Sequence, residues 1–176
     1  KTCFKVSLSI KDPLRKSMPD SDGADKIVRE SNMQDSGAVR VNIALLDKSS
    51  VKAYTDPIKE LRQYFTDNSI PIGSGKQKFR MITKQNHSKF KSEINKRLQA
   101  VKDGSIEFLR EYGTDAFYAQ QQARLGDKYD RDHFPEKESL EKAFKSITDF
   151  NVEPFATKEA IQSGGIYMSP EDVASI

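Results

Sequence analysis

Tryptophan is absent from this chain of 176 residues, and cysteine occurs once, as Cys3. A single cysteine excludes an internal disulfide framework and offers a metal ion at most one thiolate ligand. A nucleophilic triad would have to recruit His87 or His133, the only two histidines. Neither has a cysteine or a Gly-x-Ser-x-Gly motif beside it. We therefore expect no acyl-transfer chemistry and no enzymatic activity.

Long apolar runs are also missing. No stretch approaches the roughly 18–20 apolar residues that a membrane helix needs, and the N-terminus lacks the apolar core of a signal peptide. The chain starts at Lys1 rather than Met, as a chain with a trimmed native start would. We expect a cytoplasmic protein that is neither inserted in a membrane nor exported, in keeping with its single cysteine.

The composition is sufficient for one hydrophobic core. Apolar residues make up 36% of the chain and charged residues 31%, with 10 phenylalanines and 6 tyrosines in place of tryptophan. A chain of about this length buries roughly two-thirds of its unfolded surface. Residues 1–176 are therefore predicted to form a single domain.

Three segments have the alternating pattern of half-buried strands. Phe4, Val6, Leu8 and Ile10 alternate with polar residues over positions 3–10, and similar patterns recur over 38–46 and 78–84. These segments predict a small antiparallel sheet. The polar stretch 11–37, rich in aspartate and serine, is predicted to be a long loop with at most one helical turn.

The remaining segments have helical periodicity. A helix is predicted to begin at Thr55, with Pro57 in its first turn, and to end before Pro71. The longest helix follows Ser88, is weakened at Gly104 and ends near Gly113. Its apolar stripe consists of Phe90, Ile94, Leu98, Val101, Phe108 and Tyr112.

The C-terminal part is predicted to contain two shorter helices, near residues 115–125 and 135–147, and an edge strand over 151–156. Together with the sheet and the long helix, these elements define an α+β fold. We expect a small antiparallel sheet covered on one face by the long amphipathic helix and the shorter C-terminal helices.

Positive charge is concentrated in one segment. Residues 73–102 hold nine basic side chains and one acidic side chain, a net charge of +8, whereas residues 1–72 carry +2 and residues 103–176 carry −7. Lysine and arginine at such density are typical of a surface that neutralises a phosphate backbone. The predicted nucleic-acid-binding residues are Lys76, Lys78, Arg80, Lys84, Lys89, Lys91, Lys96 and Arg97.

Other interpretations of this charge stay open. The lysines and arginines would also solubilise the outer face of a long helix, or pair with an acidic surface on a protein partner or on another copy of the chain. Phe79, Phe90 and Tyr112 would either stack on unpaired bases or belong to the core.

Two further motifs are weaker. The segment Gly73-Ser-Gly-Lys76 lacks the glycine spacing of a phosphate-binding loop and the Ser or Thr after its lysine, so a turn is favoured. Acidic residues and His133 crowd positions 127–136 without a recognisable ligand spacing, so a solvated loop is favoured, with Asp132 or His133 as a local cap. No metal or other cofactor is expected.

Several segments together resemble an uncharacterised family of phage and prophage proteins, often encoded near MoxR-like AAA ATPases. The resemblance rests on CFKVSLSI, TDPIKELRQYFTDNSIPI, KFRMI, EFLREYG and YDRDHFP, and these segments define no catalytic residue. It implies a bacterial or phage-infected cell and a role in DNA metabolism, or as an accessory to an ATPase.

These observations favour a non-enzymatic protein that binds nucleic acid, single- or double-stranded, without sequence preference. The alternative is an oligomeric adaptor that works with a protein partner such as an AAA ATPase.

Overall fold

The computed structural model describes residues 3–14, 16–31, 39–73 and 78–155, which form six strands and five α-helices. In chain order they are β1 Cys3–Ile10, β2 Ser17–Pro19, α1 Ser21–Glu30, β3 Asn42–Ala44, α2 Lys48–Asp67, β4 Ile70–Ile72, β5 Phe79–Thr83, α3 Lys84–Glu111, α4 Asp115–Leu125, α5 Lys137–Phe144 and β6 Thr148–Phe155. The predicted α+β class is confirmed. No helix in the described ranges has the length and apolarity to cross a membrane.

The main sheet has four antiparallel strands in the order β4-β5-β1-β6. Val6 on β1 stands opposite Arg80 on one side and Val152 on the other, and Leu8 stands opposite Phe150. Opposed residues share a face of the sheet. The even-numbered residues of β1 therefore face the core that the helices complete, as their alternation predicts.

The strand predicted over 38–46 does not belong to this sheet. Only Asn42–Ala44 is a strand, and it pairs with Ser17–Pro19 in a separate two-stranded ribbon. The prediction was wrong because alternation tells which side chains share a face but does not identify the partner strand.

The described part of the stretch 11–37, which was predicted to be a loop, contains β2 and the ten-residue helix α1. Side chains from α4 and the turn that follows it attach this part and its partner strand β3 to the rest of the protein. The Lys128 ammonium lies 2.5 Å from Asp22 and 3.3 Å from Asp20, and the Arg124 guanidinium donates to the Ala44 carbonyl at 2.7 Å. Residues 32–38 lie outside the described ranges.

Helix α2 begins seven residues earlier than predicted, at Lys48. The Asp47 side chain caps it by accepting a hydrogen bond from the Ser49 amide at 3.2 Å. Pro57 therefore lies in the helix interior rather than in the first turn, where proline is usually found. The helix ends at Asp67, before Pro71, as predicted.

Helix α3 begins at Lys84, four residues before the predicted start, and its apolar stripe is confirmed. Phe90, Ile94, Val101 and Phe108 are buried, and Leu98 is half-buried. Its most extensive helix contact is with α2, which packs along it. Gly113, with a φ of 80°, follows the end of α3, as predicted.

The C-terminal elements agree closely with those predicted from the sequence. Helix α4 has its predicted bounds, and α5 lies inside the segment predicted for it. Strand β6 is an edge strand, as predicted, but it begins at Thr148 because it pairs with β1 along that strand's whole length.

Candidate nucleic-acid interface

The first five turns of α3 present a surface with a single carboxylate, that of Glu93, which is 35% exposed and paired with Arg97. Between Lys84 and Lys102, every exposed residue is lysine, glutamine, asparagine, serine or alanine. We call these residues the α3 basic face. They are Lys84, Gln85, Asn86, Ser88, Lys89, Lys91, Ser92, Asn95, Lys96, Gln99, Ala100 and Lys102.

The lysines form two rows along this face. Lys84 and Lys91 are seven residues apart, as are Lys89 and Lys96, and this spacing keeps each pair on one side of a helix. At 1.5 Å per residue, the face from Lys84 to Lys102 is about 27 Å long. None of these lysines forms an ion pair with another described residue. Their charges are therefore available to an external anion.

The position of Lys84 is unfavourable for the helix itself. Amide groups at a helix N-terminus carry partial positive charge, so acidic residues stabilise the first turn and basic residues do not. Helix α3 starts with Lys84, has no acidic residue in its first turn, and receives no side-chain cap from Thr83. Local helix stability therefore does not explain why this end is basic.

Arg97 marks one border of the basic face. Its guanidinium donates to the Glu93 carboxylate at 2.6 Å and lies 4.0 Å from the centre of the Tyr64 ring. The hydrogen bond from Arg97 is the main reason why the pKa of Glu93 is lowered. Arg97 is thus half-buried and engaged within the molecule, unlike the lysines.

Beyond Arg97 the surface charge changes from positive to mainly negative. The open groove between α2 and α3 is lined by Arg97 and Lys59 but also by Asp56, Glu60 and Asp67. The basic face therefore ends at this groove.

Arg80 caps the C-terminal end of α2 and is therefore engaged within the molecule. Its guanidinium donates to the Thr66 carbonyl at 2.5 Å, and to the Ser69 carbonyl and hydroxyl at 2.7 Å. It also lies 5.9 Å from the centre of the Phe65 ring. Carbonyls at a helix C-terminus lack intrahelical partners, and a cation there satisfies them. The structure assigns Arg80 a capping role.

The other predicted residues divide as follows. Lys84, Lys89, Lys91 and Lys96 are brought together on α3, and Lys78 is exposed just before β5. Lys76 lies outside the described residues, with most of the Gly73–Lys76 turn.

Two of the three aromatic residues considered for base stacking are in the core. Phe90 is 2% exposed and Tyr112 is fully buried, so neither ring can meet a base. The Tyr112 hydroxyl donates to the Pro135 carbonyl at 2.7 Å. Phe79 is half-buried at the other side of the sheet, against Phe155. The basic face is thus suited to phosphates rather than to stacked bases.

One lysine from a distant segment extends the basic face. Lys102 and Lys145 line one cavity of about 380 Å³, together with Asn95, Gln99 and the apolar side chains Leu98 and Ile147. Sequence reasoning missed Lys145 because it belongs to the acidic third of the chain, and only the packing of α5 on α3 brings it to Lys102.

Two of the carboxylates in residues 127–136 form local hydrogen bonds. The Asp130 carboxylate accepts from the Asp132 amide at 2.9 Å, and Glu136 accepts from Arg131 at 3.0 Å. The local cap is therefore Asp130 rather than Asp132 or His133. Across the described ranges, no three His, Cys, Asp or Glu side chains converge as metal ligands would.

His87 lies at the border between the sheet and the basic face. Its ring stacks on Phe4 with a centroid distance of 4.1 Å. It is flanked along the helix by Lys84 and Lys91, and its contact with β1 helps to fix this end of α3 on the sheet.

The chain was compared with protein-family models, with curated proteins and with solved structures, and none of them matches it.

Proposed function

We propose that this protein binds nucleic acid without sequence preference through the α3 basic face. The observation that carries the proposal is a run of five lysines from Lys84 to Lys102 that lack ion-pair partners among the described residues, with a single carboxylate between them, that of Glu93, already paired with Arg97. Lysines at this density release counterions when they neutralise phosphates, which supplies most non-specific affinity.

The neutral residues of the face support the same function. Gln85, Ser88, Ser92 and Asn95 stand between the lysines and carry groups that donate hydrogen bonds to phosphate and sugar oxygens. Such contacts position a nucleic acid without reading its sequence. The protein is proposed to act without catalysis, in the cytoplasm and in bacterial or phage DNA metabolism; this setting rests on the sequence resemblance.

The expected salt dependence is steep. If all five α3 lysines contact duplex phosphates, the logarithm of affinity should fall with the logarithm of salt concentration at a slope of about −4 to −5, and of about −3.5 on single strands. Each single change, such as Lys89→Ala, should make the slope shallower by nearly one unit. Fluorescence anisotropy with labelled oligonucleotides of unrelated sequence measures these slopes.

Lys142→Ala is the control, because Lys142 is also exposed and unpaired among the described residues but does not line the cavity that joins Lys102 to Lys145. It should leave the slope unchanged. Absence of binding at about 50 mM salt, with folded protein at tens of micromolar, would rule out the proposed function.

The second candidate is an oligomeric adaptor whose basic face meets acidic surfaces. Glu138, Glu141, Asp149 and Glu153 are exposed on α5 and β6, so another copy of the chain offers the required negative charge. Such an assembly would dissociate as salt rises. Analytical ultracentrifugation that finds a monomer at low salt and high concentration excludes self-assembly and leaves a separate acidic protein, such as an AAA ATPase, as the adaptor's partner.

A further inference from the structure

A cavity on the opposite border of α2 has the features of a site for a small anion. It has a volume of about 330 Å³ and lies between α2 and the segment that follows β1. Ile10 and Ile58 contribute apolar surface, and Thr55 and Thr66 contribute hydroxyls. Lys16, Lys59 and Arg62 contribute three positive charges.

Among the described residues that line this cavity, the only carboxylate is that of Asp12, and it is already neutralised. Asp12 lies 2.5 Å from the Lys16 ammonium and accepts hydrogen bonds from the Leu14 amide at 3.1 Å and from the Tyr54 hydroxyl at 3.3 Å. Burial, followed by the nearby Asp12 charge, raises the pKa of Tyr54, so its hydroxyl keeps its proton and remains a donor. Asp12 is therefore a structural anchor for this wall.

The same contacts hold Lys16 in place. Its ammonium lies against Asp12 and 5.3 Å from the centre of the Tyr54 ring. Lys16 is exposed, and these contacts place its ammonium at the edge of the cavity. Lys59 and Arg62 face this wall from α2 and form no ion pair with a described residue.

Charge and size together define the ligand class. Since Lys16 and Asp12 cancel, Lys59 and Arg62 give the described lining of the cavity a net charge of +2. Guanidinium and hydroxyl donors match phosphate oxygens, and a guanidinium can hold two of them at once. A volume of about 330 Å³ is near the lower limit for ligand pockets, which suits a small molecule better than a polymer.

We propose that this cavity binds a small phosphomonoester, with its phosphate between Lys59 and Arg62 and its organic part against Ile10 and Ile58. The site is separate from the α3 basic face and does not depend on the proposed nucleic-acid binding.

Isothermal titration calorimetry with adenosine 5′-monophosphate, ribose 5-phosphate and inorganic phosphate tests the proposal. At least one ester should bind at millimolar concentration or below, and more tightly than inorganic phosphate because its organic part gains apolar contact. The tighter ester distinguishes a nucleotide from a sugar phosphate. Equal binding of all three compounds, or binding of none, overturns the assignment.

A matched pair of variants locates the site. Arg62→Gln should weaken ester binding by about tenfold or more, because a charge-assisted hydrogen bond is lost. Lys52→Gln, on the same helix but outside the cavity lining, should change it by less than about twofold. Equal losses in the two variants would contradict the proposal. Circular dichroism verifies that both variants fold.

The Arg62→Gln variant also distinguishes binding of the phosphomonoester from binding of nucleic acid. Arg62→Gln should leave oligonucleotide binding nearly unchanged, because the α3 lysines supply that affinity. If it abolished both activities, the cavity would be part of one continuous nucleic-acid surface, and the separate site would be refuted.

Discussion

Replacing Phe108 by alanine is expected to lower the free energy of unfolding by about 3–5 kcal/mol. Phe108 is 4% exposed and joins three helices. Its ring centre lies 5.2 Å from that of Tyr54 on α2, 5.4 Å from that of Tyr112, and 5.9 Å from that of Phe144 on α5. Alanine would leave a cavity among rigid rings and remove aromatic pairs worth about 0.5–1.5 kcal/mol each.

A loss of that size is a large part of the stability of a typical domain, which is about 5–15 kcal/mol. For a chain of this length the midpoint of thermal unfolding should fall by roughly 6–20 °C. Ile106→Ala is the control, since Ile106 is two residues away on the same helix but 51% exposed. It should change stability by less than about 0.5 kcal/mol. Similar midpoints for the two variants would show that Phe108 is not in the core.

Gly104→Ala is expected to destabilise the protein, although alanine normally stabilises a helix by about 1 kcal/mol relative to glycine. A Cβ atom on Gly104 would lie 2.0 Å from the Ala53 carbonyl oxygen and 3.0 Å from the Tyr54 Cα. The atoms in the way are backbone, so α2 and α3 would have to separate. Overpacking of this kind costs about 1–3 kcal/mol, and more where the backbone cannot move.

Pro57 explains why this contact exists. Proline has no amide hydrogen, so the carbonyl four residues earlier, that of Ala53, loses its helical partner. This is the carbonyl that faces Gly104. A glycine on α3 allows the two backbones to approach closely enough for a Cα–H to contact the free oxygen.

Urea denaturation of Gly104→Ala and Ala100→Gly checks this prediction. Ala100 is exposed on α3, so its replacement by glycine should cost only the ordinary propensity difference of about 1 kcal/mol. A Gly104→Ala variant that is more stable than the parent protein would contradict the close packing of α2 on α3.

Patterns that depend on local periodicity were predictable from the sequence. The alternation of Phe4 to Ile10 identified β1, and the apolar stripe from Phe90 to Phe108 identified the buried side of α3. Both patterns arise because a strand or helix that rests on a core must repeat its apolar residues at its own period. The same logic identified α4, whereas Pro154, which has no amide hydrogen to donate, indicated the edge position of β6.

Features that depend on a distant partner were not predictable. The strand around Ile43 alternates like the others, but its partner in the ribbon is Ser17–Pro19. The start of α2 was placed too late because Pro57 resembles a first-turn proline, while the cap that begins the helix is Asp47. Gly104 was interpreted as a weak point, although it is where the backbones of two helices meet.

In the candidate site too, local features were predictable from the sequence and contacts with distant residues were not. The lysines of α3 were found because their spacing and the scarcity of acids are local properties. Arg80 was grouped with them, although the structure makes it a cap for α2, and nothing near it in sequence indicates the carbonyls it binds. Arg97 has its partner Glu93 four residues away, so its ion pair could have been inferred from helical spacing.

The central claim is that nucleic-acid binding depends on where the positive charge lies, on the α3 basic face, rather than on the total positive charge of the protein. Two variants with the same loss of positive charge test it. One replaces four lysines of the α3 basic face by glutamine, namely Lys84, Lys89, Lys91 and Lys96. The other replaces four exposed lysines elsewhere, namely Lys26, Lys48, Lys52 and Lys142.

The decisive measurement is the salt dependence of oligonucleotide binding by these two variants, followed by fluorescence anisotropy. The α3 variant should keep about one of five phosphate contacts, so that its slope on duplex DNA flattens from about −4.5 to about −1. The control variant should keep the parent slope. Equal flattening in both variants would mean that only net charge matters, and would contradict binding through the α3 basic face.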